Sequence, residues 1–197
     1  MKTLLGFALS STLVSFSGSP ALFAAEIVIP VAKDTSLIRE SVCCANPANT
    51  NFGDSPTVDA GQYHHNSRAL FGFTLPLFDS NTVVQKAELV LPVPAISGNI
   101  PASLRFGFTT GAWNEREVTW NNQPAITPIS NAFFAADVST RLDVTAAVKT
   151  IQSNGGRDLS VALDAAGQSN VFFKSKEADA QGAAYLVITT DYQPLEH

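Results

Sequence analysis

The stretch Arg68-Ala-Leu-Phe-Gly-Phe-Thr-Leu75 decides the fold class. Ala69, Phe71, Phe73 and Leu75 fall on one parity and Arg68, Leu70, Gly72 and Thr74 on the other, the period of a strand with one face in a core. Working outward, SLRFGFT (103–109) repeats the pattern, with Leu104, Phe106 and Phe108 inward and Arg105 and Gly107 outward. KAELVLP (86–92), DLSVALD (158–164), NVFFKS (170–175) and AYLVITT (184–190) add runs of strand length. They are separated by turn-rich pieces such as PAISGNIPAS (94–103), SNGGRD (153–158) and DAAGQSN (164–170). Roughly eight to ten strands are expected from this spacing. One segment breaks the period: in LDVTAAVKTIQSNGG (142–156), Val144, Ala147, Val148 and Ile151 recur at helical spacing. Asp143 or Thr145 is placed to cap that helix and Gly155 to end it. A single short helix among many strands predicts an all-β chain, an antiparallel β-sandwich, because a parallel sheet needs a crossover helix after nearly every strand.

The chain has 197 residues, enough for one sizeable core, and no repeat or linker divides it. Lys+Arg 12 against Asp+Glu 17 gives a net charge of −5, which argues against a nucleic-acid partner held by phosphate neutralisation. Only 15% of residues are charged, so Ser, Thr, Asn and Gln must solvate the surface. Lys2, the apolar run Leu4–Phe16 and the small residues leading to Ala24-Ala25 have the order of a secretory leader, with cleavage expected after Ala24 or Ala25. A buried N-terminal helix is the competing reading. Residues 1–25 are thus read as a signal peptide, 26–192 as one domain and 193–197 as a tail. The mature chain is expected outside the cell and free of the membrane.

Three motifs go beyond fold class. NTNFGDSPTVDAG (49–61) is a polar loop before a strand, TGAWNEREVTWNNQPAI (110–126) carries both Trp residues, and VFFKSKEADAQGAAYLVITT (171–190) is strand, charged loop and strand. In this order, with DTSLIRE (34–40) near the start, they resemble the DNRLRE domain, carbohydrate-binding module family 96, from about Val31 to Thr190. The resemblance implies a jelly-roll sandwich, found in exported proteins, that binds glycan without catalysis, in some members an acidic polysaccharide. Gly72 departs from it, because similar domains tend to carry a basic residue there.

The residues themselves give several candidates. Trp120, in the alternating piece EVTW, is expected in the core rather than as a sugar platform, with Asn121 and Asn122 closing a turn. Glu115 and Glu177 are read as surface ion-pair partners of Arg116, Lys174 or Lys176. Arg68, Lys86, Arg105 and Lys174 all project opposite core-facing neighbours; on one sheet they would form a basic stripe for a uronate chain, otherwise dispersed charges. Tyr63, His64 and His65, with Arg68, make a plausible ligand rim on a loop entering a strand. Adjacent His side chains point apart when extended, which disfavours metal binding by the pair. No cofactor is firmly implied; a structural calcium held by Asp34, Glu40 and Asp54 is the one candidate, without EF-hand spacing. Cys43 and Cys44 are adjacent: a strained vicinal disulfide, free thiols or bonds to a partner chain remain open. Catalytic motifs such as G-x-S-x-G or H-E-x-x-H do not occur. The expected function is therefore a secreted, non-catalytic carbohydrate-binding protein, directed at an acidic cell-wall or matrix polysaccharide. The alternatives are a structural or adhesive matrix component, a polysaccharide lyase using Tyr63, His65 and Arg68, or a glycoside hydrolase using two carboxylates drawn from Glu115, Glu117, Glu177 or the Asp residues.

Overall fold

The computed structural model describes residues 23–41, 45–79 and 81–192. The expected leader up to residue 22, Cys43 and Cys44, and the tail 193–197 lie outside the described residues. Two antiparallel sheets pack face to face, so the all-β sandwich read from the alternation is the observed fold. The smaller sheet has the order β1 (Phe23–Pro30), β12 (Tyr185–Tyr192), β5 (Thr82–Val93), β9 (Val138–Asp143). The expected cleavage point falls inside β1, whose residues Glu26–Pro30 pair with Thr189–Tyr185.

The larger sheet runs β6 (Ala95–Gly98), β11 (Ser169–Lys174), β3 (Thr57–Gln62), β4 (His65–Thr74), β10 (Asp158–Ala165), β7 (Ala102–Thr110), β8 (Ala125–Phe134). The remaining strand, β2 (Lys33–Ser41), pairs with β4, Lys33 opposite Gly72 and Ser36 opposite Ala69. Ala69, Phe71, Phe73 and Leu75 enter the inter-sheet core with Leu104, Phe106, Leu163, Phe173, Leu89 and Leu186. Phe71 and Phe134 meet Phe173 edge-on at 5.5 and 6.0 Å, the geometry that the ring quadrupoles favour.

The helix α1 (Thr145–Ser153) lies where the 3.6-residue period predicts it and buries Val148 against the sandwich. Asp143 Oδ1 accepts the Thr145 N–H at 2.8 Å, and Gly155 leaves the helix at φ +66, a conformation that favours glycine. No helix among the described residues is long and apolar enough to cross a membrane.

The outer face of the larger sheet departs from simple alternation. Leu70, of outward parity, is 0% exposed. It belongs to a second apolar cluster with Leu37, Ala162, Trp113 and Val118, formed where the 111–124 loop lies across the sheet. EVTW is not a strand: Trp120–Asn122 is a 3-10 turn, and Trp120 is only half-buried, whereas Trp113 is 8% exposed. The core tryptophan is thus Trp113, whose indole N–H donates to Ser160 Oγ at 3.0 Å. Asn122 does close the turn, its Oδ1 accepting the Thr119 N–H at 2.6 Å. Asn121 instead reaches across to donate to Asn49 Oδ1.

Candidate functional site

Two places gather polar side chains. The first is the β3–β4 turn. Asp59 on β3 is buried; its Oδ1 accepts the Ser36 hydroxyl at 3.1 Å, and its Oδ2 accepts the Ser67 hydroxyl at 2.5 Å and lies 2.6 Å from His65 Nε2. Buried Asn170 on β11 accepts the backbone N–H groups of both Tyr63 and His64 through Oδ1, each at 2.9 Å. A buried carboxylate and carboxamide need several partners to offset their lost hydration, and here the strands and the turn supply them. The turn is consequently fixed from beneath while the Tyr63 ring, 54% exposed, stands outside with the His64 ring edge-on at 4.5 Å. Glu40, Ser41, Gln62 and Asn66 join these residues around an open cleft of about 350 Å³.

The expected cations do not assemble into one stripe. Arg68 on β4 and Arg105 on β7 flank Asp164 on β10, to which both donate. Arg68 also donates to Gln123 Oε1 and lies 4.5 Å from the Trp120 ring centre, while Arg105 projects 52% exposed. Lys86 is on β5 of the other sheet, paired with Glu88. There the Lys86 hydrogen bond, helped by Arg141 on β9, holds the Glu88 carboxyl below the usual range. Lys174, at the end of β11, pairs with Asp179 beside Gly182 and borders a different cleft with Pro92 and Pro94. Gly72 leaves no basic gap on its strand: the Lys33 stem lies over it, and the Lys33 ammonium sits 4.2 Å from the Trp113 ring centre and donates to the Trp113 carbonyl.

The second place is where the quoted motifs converge. Asn51 Nδ2 donates to the carbonyls of Glu115 and Val118, each at 2.7 Å, which clasps the Trp loop. Gly53 is required beside that clasp, because a Cβ there would come within 2.3 Å of the Glu115 carbonyl oxygen. The clasp sets Glu115 against Asp34 on β2 and against Ser175, Lys176 and Glu177 after β11. One oxygen each of Asp34, Glu115 and Glu177 lie within 4.8 Å of one another. Burial pushes the Asp34 carboxyl up to about 6 against its hydrogen bond from the Lys176 backbone. Glu177 is held low because bonds from Lys176 and Ser175 outweigh its own desolvation.

Of the acids expected to bind calcium together, Asp34 therefore stands apart from Glu40 and Asp54. Glu40 is at the far end of β2 beside Arg39, and Asp54 pairs with Arg116 at 3.4 Å. Of the cations that sequence reasoning offered Glu115 and Glu177, Lys176 pairs with both; what it missed is their meeting with Asp34, because the parity of Asp34 on a strand gave no sign of two loops folding over it.

Residues 40–190 match carbohydrate-binding module family 96, and the chain belongs to that family. Carbohydrate is accordingly its class of partner. The match begins near the end of β2, so β1 and most of β2 precede it. No curated protein matches the sequence.

Proposed function

We propose that this carbohydrate-binding chain is exported and acts without catalysis, holding an acidic cell-wall or matrix polysaccharide on the rim of the β3–β4 turn. The observation that carries the reading is Tyr63, 54% exposed on a turn whose N–H groups are both tied to buried Asn170. A sugar ring presents a C–H face that stacks on such an aromatic, and a turn already fixed loses little freedom on binding. The cleft beside it adds hydroxyl, amide and imidazole groups, the polar mixture that orients a ligand. Arg105 supports an acidic ligand: two guanidinium groups against Asp164 leave one positive charge on that face.

The non-catalytic role is supported by what surrounds the cleft. Glu40 is the single carboxylate among its lining residues, and hydrolysis of a glycosidic bond ordinarily takes two. Asp34, the acid shifted toward neutrality, is 1% exposed and out of a sugar's reach. The groups that a lyase would use are engaged, His65 with Asp59 and Arg68 with Asp164.

Affinity electrophoresis in gels containing a polyuronate or a neutral glucan tests the reading. Retardation by the polyuronate is expected, with Tyr63→Ala weakening it about tenfold, a loss of about 1.4 kcal/mol. Reducing-sugar and unsaturated-uronate assays on the same polymers should stay at baseline. Turnover in either assay, or equal retardation of the variant, defeats the proposal.

A further inference from the structure

The acidic cluster under the Trp loop is built differently from a surface ion pair. Each carboxylate is fixed through one oxygen: Asp34 Oδ2 accepts the Lys176 N–H at 3.0 Å, Glu115 Oε1 accepts the Asp34 N–H at 2.6 Å, and Glu177 Oε2 accepts the Ser175 hydroxyl. The second oxygens differ in what they meet. Those of Glu115 and Glu177 share the Lys176 ammonium, at 2.9 Å from Glu115. Asp34 Oδ1 finds no hydrogen-bond partner among the described residues, although Asp34 is 1% exposed. A buried carboxylate oxygen without a donor is costly, and native structures rarely leave one so.

We infer that Asp34, Glu115 and Glu177 form a calcium site, with the Lys176 ammonium competing for the same oxygens. Three carboxylates against one ammonium leave two negative charges, which a divalent cation neutralises. All donors are oxygen, the preference of hard cations, with neither thiolate nor imidazole in the set. A span of up to 4.8 Å between donors suits oxygens arranged about an ion at roughly 2.3–2.6 Å, whereas magnesium wants about 2.0–2.1 Å and strict octahedral geometry. Because the carboxylates come from β2, the Trp loop and the loop after β11, a bound ion would tie those three segments together.

The test is a thermal melt of the full chain after EDTA dialysis, followed by titration with calcium chloride and, separately, magnesium chloride. A rise in Tm of about 5 °C or more is expected at about 1 mM calcium, with a smaller response to magnesium. Glu177→Gln alters an exposed loop residue and should cut calcium affinity at least about tenfold, the loss of one charged ligand. Lys176→Gln should raise affinity by removing the competitor, and Glu40→Gln, outside the cluster, should respond as the parent does. Absence of a calcium-dependent shift in the parent overturns the site. An unchanged shift in Glu177→Gln together with Lys176→Gln overturns it equally, because calcium would then be binding elsewhere.

Discussion

Asp34 shows how one residue can be both a liability and an anchor. Its carboxyl is raised from 3.8 to about 6 by burial, so from pH 4 to 6 the folded chain keeps a proton that the unfolded chain has lost. Protons bound to the folded state in excess make stability fall as pH rises, by up to roughly 2–3 kcal/mol across that window. Asp34→Asn removes this contribution. In EDTA, the variant should therefore gain on the parent between pH 4.5 and 7 in chemical denaturation, and a difference that does not change with pH contradicts the assignment. Trp113 makes a separate residue-scale case. Its ring fills the second apolar cluster, donates to Ser160 and carries the Lys33 ammonium. Trp113→Ala should cost about 3–5 kcal/mol in urea unfolding, while Trp120→Ala, removing a half-buried ring, should cost distinctly less.

At the scale of elements, the strands were legible where burial is one-sided. Phe71 and Phe73 on β4, Leu104 on β7 and Leu163 on β10 all enter the core that their alternation predicts. The helix was legible for the same reason, its period differing from two. The Trp loop was not. EVTW alternates like a strand, but Asn51 and Asn122 take up the backbone groups that a neighbouring strand would otherwise satisfy, and the segment turns instead. Leu70 misled for a related reason: parity tells which face a residue occupies, not whether a loop covers that face. The acidic cluster was hidden by distance, since Lys176 and Glu115 meet across 61 positions of sequence. The exposed turn bearing Tyr63 was visible as a loop, yet the support beneath it, Asn170 reaching back across 107 positions, was not. Asn170→Ala leaves the two turn N–H groups and Asp59 short of partners. A loss of about 2–4 kcal/mol is expected on unfolding, since the five hydrogen bonds of the Asn170 carboxamide go at once. Glycan affinity should fall beyond that of a Tyr63-preserving surface variant, read by the same gel assay at a temperature where the protein remains folded.

For the whole molecule, the two sheets separate functions that the linear sequence mixes together. Arg105 and Lys86 look equivalent in sequence, each a cation opposite core-facing neighbours on a strand, but they project from different sheets of the sandwich. A polysaccharide lying on one broad face cannot touch both. The low charge density makes the distinction measurable, because a chain with 15% charged residues has few other cations to substitute for the one removed. If the larger sheet's outer face meets a polyuronate, Arg105→Ala should weaken binding about three- to tenfold at low salt. The effect should shrink toward none as ionic strength approaches about 0.5 M, where the screening length falls to a few ångströms. Lys86→Ala should leave affinity unchanged at every salt concentration, because Lys86 and its partner Glu88 both lie on β5 of the smaller sheet. Equal effects of the two substitutions would mean that the polymer feels only net charge, and a larger effect of Lys86→Ala would move the binding face to the smaller sheet.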